Sequence, residues 1–216
     1  MASVARPAAP TLGLIGTMDQ LRIELEQAAL EAFRRSAAQH RSETIYCAAL
    51  YTSGEYGYVY DTISTSEGLD QVAERYLRKR SFDNLEQAVR DLKWSPCDSP
   101  YHLENEHLFE RSNELLSQLW NAVRQNSACD SDRVYREVHS VFVDILKTVR
   151  SSNIFPSDCL ITLLAGDQSN EVRVVNSEEV NSPSICRAFA AELTLDANRL
   201  ASLRETRWPS DDSYEP

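Results

Sequence analysis

Residues able to do chemistry are few in this chain, and most stand alone. Tyr101-His102-Leu103-Glu104-Asn105-Glu106-His107 sets two imidazoles among carboxylates, which first suggests a metal. A zinc-protease helix needs two His four residues apart on one face, with Glu directly after the first. Here the spacing of five places them about 140° apart around a helix, so they do not converge on one ion. An exposed helix start accounts better for the segment. His139 lies beside a helical apolar stripe and reads as a structural hydrogen-bonding group, with a general base as the alternative. Nucleophilic catalysis would call for a Gly-x-Ser-x-Gly turn, or a Cys placed near His and Asn. With six Gly the chain has no such turn, and it has neither a Walker loop nor Gly-x-Gly-x-x-Gly. Cysteines at 47, 97, 129, 159 and 186 form no Cys-x-x-Cys pair, which argues against a zinc ribbon or a thioredoxin-type redox site. Glu178-Glu179 and Asp211-Asp212 read as solvated pairs. No cofactor and no metal are expected.

Two loops hold the remaining candidates. Trp94-Ser95-Pro96-Cys97-Asp98-Ser99-Pro100-Tyr101 carries an aromatic, a carboxylate and a phenol in a segment fixed by two prolines. Gly166-Asp167-Gln168-Ser169 ends an unbroken apolar run, Cys159–Leu164, that reads as a buried strand delivering a polar tip to the surface. Ordered loops mixing aromatic and polar side chains are where binding sites concentrate. Trp94, Asp98, Tyr101, Asp167 and Gln168 are therefore the expected partner-binding residues. The structural alternatives are that Trp94 plugs an edge of the core and that Asp167 bonds its own backbone in a turn.

These loops must be carried by regular elements. Thr17-x-x-Gln20 resembles a capping box, and Leu21, Leu25, Ala28, Ala29 and Ala32 recur at helical spacing behind it. Thr44–Tyr51 and Tyr56–Ile63 predict a hairpin around Thr52-Ser53-Gly54-Glu55, with Tyr51 facing Tyr56, Ala49 facing Tyr58 and Cys47 facing Tyr60. Five of the nine tyrosines fall between 46 and 60, either as a binding ribbon or as a half-buried face under helices. Ser64-x-x-Glu67 predicts a cap for a helix through Leu69 and Leu77. Further helices are expected over 83–91, 104–125, 131–150, 185–193 and 195–203. Val172–Val175 reads as a strand pairing back on Cys159–Leu164. The expected fold is α+β: an antiparallel sheet of two hairpins flanked by about six or seven helices. Residues 17–205 form one domain, after a disordered leader over 1–16 and before an acidic flexible tail over 206–216.

The bulk composition excludes some functions. Among 216 residues, 22 are Lys or Arg and 33 Asp or Glu, for a formal charge of −11. Such a surface repels phosphate backbones and steers basic partners inward. No apolar run approaches the ~20 residues of a membrane span. With scattered cysteines and no secretory signal, a cytoplasmic protein is expected.

Several stretches resemble a bacterial family named only as domain of unknown function 4303. They are Glu43-Thr44-Ile45-Tyr46 before the Tyr-Gly hairpin, Thr65-Ser66-Glu67-Gly68-Leu69, Leu92-Lys93-Trp94-Ser95-Pro96, and Ile161–Ser169 with Asn181-Ser182-Pro183 beyond. The similarity spans roughly residues 18–193. The chain departs from the family pattern where Ser182 separates Asn181 from Pro183, and where Pro100-Tyr101 replaces a second Trp. The resemblance implies a place among accessory proteins near polymorphic toxin loci, where small acidic α+β proteins act as immunity factors. The leading expectation is thus a non-catalytic protein that binds a basic toxin. A hydrolase-like enzyme using His139 or Asp167, and a scaffold working through the Tyr-rich hairpin, are the alternatives.

Overall fold

Helix α1 (Leu12–Gln39) starts before the Thr17 capping box and buries Leu21, Leu25, Ala29, Ala32 and Phe33. The computed structural model describes residues 12–166 and 168–207. The expected leader and tail therefore fall largely outside the described residues, although Leu12–Gly16 is helical.

After α1 come β1 (Ile45–Thr52), β2 (Val59–Thr65), α2 (Ser66–Arg78) and α3 (Leu85–Leu92). A 3-10 turn (Pro96–Asp98), the short β3 (Tyr101–His102) and a second 3-10 turn (Glu106–Phe109) lead to α4 (Glu110–Gln125) and α5 (Ser131–Ser151). The chain continues through β4 (Leu160–Ala165), α6 (Asn170–Glu178), α7 (Pro183–Ala191) and α8 (Ala197–Arg207). The α+β class holds, but the described residues carry eight α-helices and one four-stranded sheet of order β3-β2-β1-β4. β1 runs antiparallel to β2 and parallel to β4, so the sheet is mixed and contains one long hairpin where two were expected.

The second hairpin is missing because Val172–Val175 is helical. α6 buries Glu171, Val174, Val175 and Ser177, a helical spacing that packs against β4 and overrides the β preference of Val. The cap of α2 also differs: Thr65, one residue after Ser64, accepts the Gly68 N–H at 2.9 Å. Glu67 reaches instead to the Thr44 N–H at 2.8 Å, tying the helix start to the strand entrance.

The first hairpin forms in a different register. Tyr51 faces Tyr60, Ala49 faces Thr62 and Cys47 faces Ser64. The slip is an even number of residues, so each side chain keeps its face. Tyr56 leaves the strand because it is worth more in the core. It takes φ 55°, packs its ring 5.0 Å from Phe142, and donates its hydroxyl to His139 Nδ1. Only 3% of it is exposed. Burying a Tyr ring with its hydroxyl paired offsets the cost of the left-handed backbone.

Helices cover both faces of the sheet. Ala48, Leu50, Val59, Ile63, Ile161 and Leu163 pack on α1, α4 and α5. Cys47, Ala49, Leu160 and Leu164 form a second, smaller cluster with Val174 of α6 and Phe189 of α7.

Side-chain carboxamides occupy the places where further strands would add. On the outer edge of β4, Asn181 accepts the Ile161 N–H at 3.0 Å and donates to the Ile161 carbonyl at 2.7 Å. Asn176 donates to the Leu163 carbonyl, and Gln168 accepts the Ala165 N–H. On the edge of β2 left uncovered by the two-residue β3, Asn113 accepts the Val59 N–H at 2.7 Å and donates to its carbonyl at 3.2 Å. Each amide mimics a neighbouring strand's peptide group, sealing edges that would otherwise recruit another chain.

Candidate functional site

Because β4 runs parallel to β1, both strands end at the same edge, at Thr52 and Ala165. A cleft of about 450 Å³ opens there, lined by Tyr51, Tyr56, Tyr58, Tyr135, Gln168 and Arg199 among others. Crevices beyond the carboxyl ends of parallel strands are common ligand positions, since the loops diverge there. Tyr135 of α5 donates to the Gly54 carbonyl at 3.0 Å and pins the hairpin loop to the rim.

Tyrosine rings carry this cleft sideways across the hairpin. The Tyr51 and Tyr58 centroids lie 5.7 Å apart, and those of Tyr58 and Tyr60 5.6 Å apart. Tyr60 then lines a second, wider groove of about 730 Å³, whose other wall presents Glu106, Glu110 and Glu114. Glu110 and Glu114 are one turn apart on α4, and Glu106 precedes them on the 3-10 turn, so the carboxylates follow one face. Glu114 pairs with Arg111 at 2.8 Å, an exposed contact of little strength.

Behind the cleft lies a hydrogen-bonded relay. His139 Nδ1 accepts from the Tyr56 hydroxyl, and His139 Nε2 is 2.9 Å from Glu179 Oε1. The sequence placed His139 beside the stripe of α5; the structure uses both ring nitrogens to hold the hairpin loop against α5 and the end of α6.

The expected site residues take different positions. The Trp94 ring stands edge-on to Tyr46 at 5.4 Å and to Phe189 at 4.6 Å, over the second face of the sheet. Asp98 accepts from the Tyr76 and Ser95 hydroxyls, each at 2.6 Å, and so fastens its own loop to α2. Tyr101 stacks 3.8 Å from His40 and donates to Glu43. Gln168 lines the cleft while covering the end of β4. Asp167 lies outside the described residues. The two loops themselves meet at one atom, the Tyr51 hydroxyl: Cys97 Sγ donates to it at 3.3 Å, and a Cβ on Gly166 would stand 3.3 Å from it. The bonds from Cys97 and Tyr58, reinforced by burial, push the Tyr51 phenol well above its ordinary value. The sequence offered Tyr60 only as one of the tyrosines of the hairpin ribbon, and it did not single out the Glu106–Glu110–Glu114 row. The spacing of the carboxylates by four was their only visible signal.

Tyr101 belongs to an ionisable cluster that sets an acid sensitivity. Burial alone would raise the Glu43 carboxyl, but hydrogen bonds from Thr65, Tyr101 and His40, with the imidazole's charge, hold it below its ordinary value. A depressed carboxyl stabilises the fold above its unfolded-state pKa and loses that contribution as pH falls through the lowered folded value. Glu43→Gln is therefore expected to lower the melting temperature at pH 7. The difference from wild type should narrow steadily below about pH 4. Melting curves across that range check it, and a gap independent of pH would contradict it.

Among the described residues no helix is long and apolar enough to cross a membrane, and no group of three His, Cys, Asp or Glu is placed to hold a metal ion. No curated protein and no solved structure matches the chain. The family model described as Domain of unknown function (DUF4303) matches residues 25–181, from the middle of α1 through the sheet and both loops to the edge-sealing Asn181. The family resemblance read from the strand and loop motifs is thus borne out, over a somewhat shorter span than the 18–193 expected, and the chain belongs to the DUF4303 family.

Proposed function

We propose that this chain is a non-catalytic, cytoplasmic binding protein that neutralises a basic protein partner, in the manner of an immunity protein against a toxin effector. One observation carries the reading: the Tyr51–Tyr58–Tyr60 ladder joins the strand-end cleft to the acidic groove. Aromatic rings with polar tips supply anchor contacts at low entropic cost, and a row of carboxylates selects a cationic face. The formal charge of −11 extends that preference over the whole surface and speeds encounter. The sealed edges of β4 and β2 support recognition by side chains rather than by an added strand.

A hydrolytic reading would draw on His139. Its two nitrogens already engage Tyr56 and Glu179, so the ring serves to position the loop. The test of the binding reading is to inspect the genes beside this chain's for a toxin domain and to co-express the chain with it. Cells should survive with the wild-type chain and die with a Tyr58→Ala/Tyr60→Ala variant of equal abundance. Death in both cases would remove the proposal.

A further inference from the structure

The strand-end cleft is rich in hydrogen-bond donors that have nothing to donate to. Rim carbonyls are already served by lining side chains: Tyr135 donates to Gly54, Thr52 to Tyr58 and Asn176 to Leu163. The side-chain oxygens of Asn176 and Ser169 are closed off from solvent. Three donors of the same lining remain without a hydrogen-bond acceptor among the described residues. Gln168 commits its Oε1 to the Ala165 N–H, which leaves its Nε2 to the cleft. The Tyr51 oxygen accepts from Tyr58 at 3.4 Å and from Cys97 at 3.3 Å, which fills both lone pairs and leaves its own proton to be donated. A side chain at Gly166, whose Cβ would stand 3.3 Å from this oxygen, would crowd it.

Arg199 is the third donor. It stands in the first turn of α8, where the helix dipole disfavours a cation, so helix stability does not explain its place. Its side chain is 59% exposed, and its ion pair with Glu171 is 3.8 Å long, beyond hydrogen-bond reach. Glu171 is engaged elsewhere, since its Oε1 accepts the Asp196 N–H at 2.9 Å. Among the described residues that line the cleft there is no carboxylate, although the chain carries a formal charge of −11. Leu163, Val172 and the rings of Tyr58 and Tyr135 supply apolar wall, and about 450 Å³ of space is ample for a small molecule.

We infer that the strand-end cleft binds a small organic monoanion, a carboxylate on a flat apolar body, whose oxygens take the donors of Arg199, Gln168 and Tyr51. A guanidinium presents a planar fork that matches a carboxylate. One cation offsets one charge, so a dianionic phosphate would keep an uncompensated charge beside an acidic protein. The apolar body lies against the tyrosine rings, which favour flat partners. The site needs no protein partner, so it stands or falls apart from the toxin-binding reading.

The test is thermal unfolding and calorimetric titration of the chain alone, at constant ionic strength, with benzoate, its neutral counterpart benzamide and phenyl phosphate as probes. Benzoate at about 10 mM should raise the wild-type melting temperature by a few degrees, by mass action on the folded state. Benzamide should leave it unmoved, and phenyl phosphate should raise it less. Arg199→Gln should weaken benzoate binding about 10-fold and Tyr51→Phe about 3-fold. Arg199→Lys, which keeps the charge without the fork, should fall between wild type and Arg199→Gln. If Arg199→Gln does not fold, Tyr51→Phe carries the comparison. No shift with benzoate, an equal shift with benzamide, a larger shift with phenyl phosphate, or undiminished affinity in Arg199→Gln would each overturn the assignment.

Discussion

Asn181→Ala is expected to lower the unfolding free energy by about 3–5 kcal/mol, read from urea unfolding. One carboxamide here serves four groups. Its oxygen accepts from the Ile161 N–H and from Arg150, and its nitrogen donates to the carbonyls of Ile161 and Ser177. Removing it leaves both peptide groups of a buried strand residue unpaired. It also takes an acceptor from Arg150, a guanidinium whose ionisation burial already disfavours. Asn113→Ala removes only two bonds, both to Val59, and strands no guanidinium, so it should cost about 1–2 kcal/mol. Equal losses at the two positions would contradict the account of how these edges are sealed.

The second large effect concerns the partner. Tyr58→Ala/Tyr60→Ala should weaken the complex about 100-fold or more, chiefly through faster dissociation, because truncated aromatic anchors account for most of such losses. Replacing Glu106, Glu110 and Glu114 together by Gln should weaken it about 10-fold, chiefly through slower association. The two sets separate contact from steering. The Gln variant should melt within a few degrees of wild type, since the groove carboxylates are exposed, whereas the half-buried Tyr58 and Tyr60 make a melting curve the necessary control for the tyrosine variant.

The helices of this fold were largely legible, because Val134, Val138, Phe142, Ile145 and Val149 repeat at a spacing only a helix uses. The β4 strand was equally plain, six buried residues ending in a polar tip. The hairpin register was not. Tyr56 and Tyr60 are both aromatic at even spacing, and only the three-dimensional pocket between Phe142 and His139 decides which one leaves the ladder. Val172-Arg173-Val174-Val175 misled for a related reason. A valine-rich segment just beyond β4 suggested a strand pairing back on it, while the structure has a helix there that buries Val174 and Val175. Asn113, Asn176 and Asn181 gave no signal of their purpose, since an asparagine that imitates a strand looks in sequence like any turn residue. The two candidate loops do follow regular elements, one after α3 and one after β4. Their meeting point at the Tyr51 hydroxyl depended on β4 lying parallel to β1, which the expectation of two hairpins had excluded.

A negatively charged surface with aromatic anchors, acting by covering a cationic neighbour, is the premise on which the functional reading stands. Calorimetric titration of the purified chain with a basic toxin domain drawn from its gene neighbourhood, should one be encoded there, at low and at high ionic strength, probes that premise most directly. A one-to-one complex whose affinity falls steeply with added salt, and more weakly so once the three groove glutamates are neutralised, is the predicted result. Absence of a complex, or an affinity indifferent to salt and to those glutamates, would contradict it.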